Sequence, residues 1–332
     1  MPHRPRAALA MAADAAKAVL GPGALRALAE ICDLVSQEAL ADLTADRARE
    51  VLQDIDILVT GWGCPPLDTA VLEAAPKLRA IVHTAGTVRG HVTDACWDRG
   101  IEVSSAAAAN ALPVAEYTVA MILLSGKRVL ERARDFRAKR STDDWSGVPR
   151  DVGNYGRTVG ILSASMVGRR VIELLRPHDF KVLLHDPYVT EDEATALGVR
   201  AVSIRDLFTR SDVVSVHTPL LPATRGLVSR ELIGGMRPDA VLINTARGAV
   251  IDQDALAASG VRAILDVTDP EPLPPGHPLW DNDNVLITPH LAGSQGNEWG
   301  RLAELAVAEV GRWAAGTPFA HPVRREKLDF LA

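Results

Sequence analysis

The sequence predicts an α/β fold of two domains, each organised around a mostly parallel sheet. Two observations carry that expectation. Short apolar runs of strand length alternate with amphipathic stretches in two separate series, the pattern that builds βαβ units. The chain of 332 residues is also too long for one ordinary hydrophobic core.

In the first series the expected strands are Arg6 to Met11, Asp33 to Ser36, Ile55 to Thr60, Leu78 to His83 and Ile101 to Ser104. Between them, stretches such as Ala41 to Leu52 and Pro66 to Ala74 have the spacing of amphipathic helices. From Asn110 the pattern changes to one long helix, Val114 to Arg137, rich in Ala, Leu, Val and Arg. The polar segment Ser141 to Asn154 reads as a connector. The second series has strands Val159 to Leu162, Lys181 to His185, Val213 to His217, Val241 to Asn244, Ala263 to Val267 and Val285 to Thr288. Six strands with helices between them are what a full dinucleotide-binding fold requires. A last amphipathic helix, Glu298 to Ala315, leads to a short tail, and no internal repeat interrupts the pattern.

Composition narrows the function classes. With 47% hydrophobic and 23% charged residues, and 25 Gly and 21 Pro as punctuation, the chain reads as a globular enzyme. A net charge of -6 argues against the basic face that a nucleic-acid partner needs. Cys32, Cys64 and Cys96 are odd in number and lack a CxxC pair, which fits buried thiols in a reducing compartment. The nine histidines are scattered without metal-ligand spacing, so no metal is expected. No apolar run approaches membrane-spanning length, and no membrane partner is expected. Arg4 and Arg6 precede A-A-L-A-M-A-A, as a secretion signal would begin, but Asp14 and Lys17 cut that run short. A buried strand and a helix account for the same residues, and a cytoplasmic protein is expected.

The segment Thr158 to Pro187 is the first βαβ unit of the second series. Its strand runs into S-A-S-M-V-G, where a dinucleotide fingerprint asks for G-x-G-x-x-G and an acid some 20 residues later. Gly168 fills the third glycine position, and Asp186 ends the next strand. A carboxylate there accepts ribose hydroxyls and repels a 2′-phosphate, which favours NAD over NADP. The first two glycine positions are Ser163 and Ser165. Each adds a Cβ where the backbone should turn tightly or approach a pyrophosphate, although a serine hydroxyl could donate to a phosphate oxygen. Alone, this loop would be as well explained by an ordinary strand-to-helix turn; its strand-helix-strand-Asp context raises it above that.

Three further clusters end strands of the same series, the edge where doubly wound sheets put their ligands. They are I-N-T-A-R-G-A-V-I-D with Arg247, L-D-V-T-D-P-E-P with Asp266 and Glu271, and I-T-P-H-L-A-G-S with His290. A guanidinium grips a carboxylate bidentately. An imidazole gives or takes a hydroxyl proton near neutral pH, and a carboxylate on its other nitrogen fixes the tautomer. That set suits hydride transfer at a carbon bearing a carboxylate. Each residue alone is ordinarily a surface ion pair, a turn residue or a solvated loop carboxylate; their joint position at strand ends favours catalysis.

At these residues the chain resembles the D-isomer-specific 2-hydroxyacid dehydrogenase family, which includes D-lactate, glycerate and phosphoglycerate dehydrogenases. The matching motifs are N-A-L-P-V-A-E-Y at Asn110, V-G-I-L-S-A-S-M-V-G-R at Val159, V-S-V-H-T-P-L-L-P-A-T-R-G-L at Val214, L-I-N-T-A-R-G-A-V-I-D, L-D-V-T-D-P-E-P-L-P-P-G-H-P-L-W and N-V-L-I-T-P-H-L-A-G. They keep the family's order from about Leu78 to Gly316. The resemblance implies a Rossmann-type NAD-binding domain over 110–292 and a flavodoxin-like α/β substrate domain split between 1–109 and 293–332. It implies that Arg247 binds the substrate carboxylate, that His290 is the acid/base and that Glu271 is its partner. A glutamate at that last position disfavours the formate dehydrogenase branch. Met166 and Val167 would meet the pyrophosphate, and Asp186 the ribose. Thr218, Pro219 and Thr224 would flank the adenine and phosphate side, with Thr245, Ala246 and Asp266 near the nicotinamide. Ser163, Ser165, Gly168, His290 and Gly293 complete the cofactor-binding set. Amides around Ala85 and Gly86 would take the other side of the carboxylate, with domain closure excluding water. A homodimer through the long helix is also implied. Val88 departs from the acid the family often carries in that loop.

The expected function is NAD-dependent interconversion of a small D-2-hydroxy acid and its 2-oxo acid. The alternative is a catalytically weak NAD(H)-sensing or partner-binding protein, motivated by the altered loop and opposed by the intact Arg247, Glu271 and His290. Trp62 and Trp299 would suit an apolar substrate tail, but core or interface positions explain them better.

Overall fold

In the computed structural model, which describes residues 4–141, 148–149 and 152–330, the strands form two sheets. The first holds β1 (Arg6–Ala10), β2 (Asp33–Leu34), β3 (Ile57–Thr60), β4 (Ala80–His83) and β5 (Glu102–Ser105), all parallel, in the order 5-4-3-1-2. The second holds β6 (Thr158–Leu162), β7 (Lys181–His185), β8 (Arg200–Ala201), β9 (Val213–Val216), β10 (Val241–Asn244), β11 (Arg262–Leu265) and β12 (Val285–Ile287). Its order is 12-11-10-9-6-7-8, and every pairing is parallel. A last strand, β13 (Pro322–Val323), adds antiparallel to β5 at the edge of the first sheet. These orders are the flavodoxin-like and Rossmann-type doubly wound arrangements. The two compact units are Met1–Ala111 with Ser294–Ala332, and Leu112–Gly293.

Parallel strands covered by helices on both faces read as continuous apolar runs, and β3 (ILVT) and β9 (VVSV) are buried throughout. The period of two divides each sheet between two cores. In the first unit Leu58, Ile81 and Val103 enter one core while Ile57, Val59 and Val82 enter the other. In the second, Val214, Leu242 and Leu265 oppose Val213, Val241, Ile243 and Ile264. The A-A-L-A stretch at the N-terminus is β1, buried between β2 and β3.

The helix Trp299–Ala314 belongs to the first unit, where Leu302, Ala303, Ala306 and Val310 enter its core. Glu309, fully buried, accepts the Ser104 hydroxyl at 2.6 Å and the backbone N–H groups of Ala320 and His321 at 3.0 and 2.9 Å. Three donors on one buried carboxylate tie this helix to β5 and to the segment entering β13, and they satisfy a charge that burial alone would disfavour.

Several expectations need correction. The long helix is two helices, Ala107–Gly126 and Val129–Lys139, and it breaks at Arg128, whose φ is 50°. Lys and Arg are good helix formers, so the break comes from tertiary fit. A Cβ on Gly126 would overlap the Asn154 side chain, and Gly153 donates its N–H to the Gly126 carbonyl at 2.7 Å. The helix Ala107–Gly126 is also long and apolar enough to cross a membrane, against the expectation that no run approaches that length. Here it is a packed element: Ala115, Val119 and Ile122 enter the second unit's core, and Tyr117 and Thr118 bond to strand-end hydroxyls. The helices expected from Ala41 and Pro66 begin later, as Asp46–Leu52 and Thr69–Ala74, the second capped by the Asp68 side chain. The second sheet has a seventh, two-residue strand, β8. Of the connector Ser141 to Asn154, residues 142–147 and 150–151 lie outside the described residues.

Candidate active site

All seven strands of the second sheet run parallel, so their C-terminal ends share one edge. The order reverses between β6 and β9, and a crevice for ligands forms at such a switch point. Past β6 the chain turns at Ser163, whose φ of 80° lies in the region that favours glycine. The helix Met166–Leu175 then starts on Ser165, whose hydroxyl accepts the Gly168 N–H at 3.3 Å and so acts as the N-cap. A Cβ on Gly168 would overlap the Ser163 carbonyl, which is why only glycine serves at that step. The first N–H groups of this helix, at Met166 and Val167, have no acceptor within it and carry the positive end of its dipole. At the end of β7, Asp186 accepts from the Ala164 N–H at 2.7 Å, the Ser163 hydroxyl at 3.1 Å and the Tyr188 N–H at 2.8 Å. Free helix N–H groups beside an oriented carboxylate fit a dinucleotide: the first suit a pyrophosphate, the second a ribose.

The side chains after β9 and β10 brace the loops that carry them. Thr218 is buried with its hydroxyl toward the Leu162 carbonyl at 3.4 Å. The Thr224 hydroxyl donates to the Pro219 carbonyl at 2.6 Å and accepts the Leu221 N–H at 2.8 Å, so it closes its own loop. Thr245 shares a hydrogen bond with Thr118 at 3.1 Å. Asn244, not singled out in the sequence, accepts the Ala246 N–H at 3.0 Å and donates to the Arg247 carbonyl at 2.9 Å, fixing the turn that presents Arg247. A Cβ on Gly248 would overlap the backbone of Thr268 and Asp269, so glycine lets this turn close on the segment that leads to Glu271.

Asp266, 1% exposed at the end of β11, is a structural hub. Its Oδ1 accepts the Thr288 hydroxyl at 2.6 Å and the Leu291 N–H at 2.9 Å, and its Oδ2 accepts the Ala292 N–H at 2.9 Å. Tyr117 adds its hydroxyl to Thr288 at 2.9 Å. The half-buried Gly293 ends the same loop. Within it, His290 adopts a φ of 50°, held by N–H bonds to the carbonyls of Asp266 and Thr288 at 3.0 and 2.9 Å. A non-glycine residue there costs on the order of 1 kcal/mol, which a merely structural turn would avoid with Gly or Asn.

His290 Nδ1 lies 2.9 Å from Glu271 Oε1, which leaves Nε2 available to a ligand. Arg247 is largely desolvated, and burial pulls its guanidinium below the ordinary value while the negative charge of Glu271 opposes the shift. Among the described residues it makes no ion pair within 4.0 Å; its hydrogen bond goes to the Ala246 carbonyl at 2.6 Å. A desolvated, unpaired cation within the field of a carboxylate-imidazole pair can bind a small carboxylate and place a proton donor on its neighbouring oxygen.

In the first unit, Ala85 and Gly86 follow β4, and their N–H groups have no hydrogen-bond partner among the described residues. The ends of this loop are fastened by one buried hydroxyl: Thr60 Oγ1 lies 2.9 Å from His83 Nδ1 and 3.1 Å from His91 Nε2. Burial pushes His83 down to about 3 and His91 down to about 4, so both are neutral near pH 7. Val88 fills the core beneath the loop. Asn110 accepts the Ser294 N–H at 3.0 Å. Of the two tryptophans, Trp299 packs on the first unit's core and bonds the Ser294 carbonyl, whereas Trp62 is 41% exposed.

Residues 119–292 match the family model for the NAD binding domain of D-isomer specific 2-hydroxyacid dehydrogenases. The D-3-phosphoglycerate dehydrogenase of Methanocaldococcus jannaschii is 31% identical over 309 residues, covering 91% of this chain and 55% of that protein. A glyoxylate reductase of Thermofilum pendens is 33% identical over 300 residues, 87% of each chain. The apo D-mandelate dehydrogenase of Rhodotorula graminis superposes with a TM-score of 0.81 over 97% of this chain and 98% of its own, at 21% identity, a likeness of fold. The chain spans about half the length of the curated phosphoglycerate dehydrogenases it matches. This chain belongs to the D-isomer specific 2-hydroxyacid dehydrogenase family.

Proposed function

We propose that the protein is an NAD(H)-dependent dehydrogenase that interconverts a small D-2-hydroxy acid and its 2-oxo acid. The observation that carries this reading is the 2.9 Å Glu271–His290 pair beside the desolvated Arg247. A nicotinamide dinucleotide bound there would supply the hydride for reduction and accept it in oxidation. The helix N–H groups of Met166 and Val167 would hold its pyrophosphate, and Asp186 its ribose. Thr218, Pro219, Thr245, Ala246 and Asp266 line the strand ends along which it would lie. The hydrogen bonds of Thr224 and Asp266 support a role for these two in shaping that edge.

Arg247 binds and orients the substrate carboxylate. His290 holds a proton on Nε2 and gives it to the C2 oxygen as that oxygen gains charge; in the oxidative direction Nε2 takes the proton back. Glu271 accepts a hydrogen bond from the Nδ1–H, fixes the tautomer and stabilises the imidazolium. The exposed Val129, Leu130 and Phe136 support association as a homodimer through the dinucleotide-binding unit. The test is NADH oxidation by the purified chain across small 2-oxo acids, glyoxylate and phosphohydroxypyruvate included. Turnover of any member is the expected result, and NADH binding without turnover of any would overturn the reading.

A further inference from the structure

Resting on the reading that the second unit binds NAD(H), we propose that Ser163 is a positioning residue for Asp186 and through it sets selectivity for NAD(H) over NADP(H). Ser163 occupies a backbone conformation, φ 80°, that glycine adopts freely and an L-residue adopts at a cost. Its hydroxyl supplies a reason for that cost. It donates to Asp186 Oδ2 at 3.1 Å, beside the Ala164 N–H at 2.7 Å on the same oxygen. The Tyr188 N–H at 2.8 Å holds Oδ1.

An ionised carboxylate has about four acceptor sites, and these three donors fill three of them. Asp186 is therefore locked in one orientation, with one acceptor site left on Oδ1. A ribose diol brings two O–H donors. One of them meets the acceptor site that stays open on Oδ1. The Ser163 hydroxyl thus acts on the ribose only through the carboxylate it holds in place. A 2′-phosphate brings no such proton and meets the same carboxylate charge. The hydroxyl is committed to Asp186, so the serine does more than tolerate the place of a glycine.

The test is a double-mutant cycle read by direct NADH and NADPH binding titrations, with apo melting temperatures alongside. Ser163→Ala keeps the Cβ and the strained backbone but removes the hydroxyl. It is expected to weaken NADH binding about fivefold, the worth of one hydrogen bond, and to leave NADPH binding nearly unchanged. In an Asp186→Ala background the same substitution is expected to change neither nucleotide, because its effect passes through the carboxylate. Ser163→Gly also removes the strain; it should melt no lower than the parent protein yet show the same loss of selectivity. Parental NADH affinity in both single variants, or an equal loss with Asp186 already removed, would overturn the proposal and leave the dinucleotide reading standing. Absence of NADH and NADPH binding to the unaltered protein would instead overturn that reading, and this proposal with it.

Discussion

Asp266 accepts the hydroxyl of Thr288 at 2.6 Å from inside the core, and the same carboxylate takes the N–H groups of Leu291 and Ala292. The loop that carries His290 is therefore built on one buried side chain. Asp266→Ala would leave three donors without an acceptor, each costing about 1 kcal/mol or more. Chemical denaturation should show a loss of roughly 3 kcal/mol, and turnover should fall further than stability alone accounts for. A variant of parental stability would show that the loop is held by other means.

Gly248 has no unusual φ; what matters is the lack of a Cβ. Its neighbours there are the Thr268 carbonyl and the Asp269 nitrogen, both backbone atoms that cannot swing aside. Gly248→Ala must push the Arg247 turn away from the segment leading to Glu271. The expected result is an increase in KM for the 2-oxo acid of at least about tenfold, with NADH binding changed much less. An unchanged KM would place the Arg247 turn outside substrate binding.

Much of this architecture was legible in the sequence because the second unit's strands are short apolar runs with catalytic residue types just beyond them. Arg247, Glu271 and His290 stood out from residue type and position, and the structure joins Glu271 to His290 directly. What escaped the sequence depends on tertiary fit. The break at Arg128 follows from Gly126 meeting Asn154, a contact that no local propensity encodes. Strands β8 and β13, of two residues each, are too short for alternation to register. The bonds of the Thr224 and Ser163 hydroxyls to Pro219 and Asp186 likewise have no local signal. Asn244 and the Thr60–His83–His91 cluster carry no motif. For the cluster, two histidines flanking the T-A-G-T-V loop were the available signal.

Three buried histidines make stability fall on acidification. Burial holds His83 and His217 at about 3 and His91 at about 4, against an ordinary 6.5. The unfolded chain binds protons in that window and the folded chain does not, so stability rises with pH up to about 6.5 and is constant above. Each histidine contributes about 1.4 kcal/mol per pH unit inside the window. Melting temperature should drop steeply between pH 6.5 and 5, above the range where carboxylates titrate. A flat profile across that interval would contradict the buried, neutral assignment.

Glu271→Gln keeps the shape of the His290 partner and removes its charge. The imidazolium loses its stabiliser, so kcat should fall by roughly tenfold to a hundredfold, with NADH affinity little changed. Parental kcat would show that Glu271 is only a loop carboxylate.

The most direct test of the central claim is His290→Ala, assayed for NADH oxidation with the best 2-oxo acid and, in parallel, for NADH binding. Loss of the proton donor should lower kcat by about 10²- to 10⁴-fold while NADH still binds. Turnover within a few-fold of the unaltered protein would contradict the account, because the proton would then reach C2 oxygen without His290.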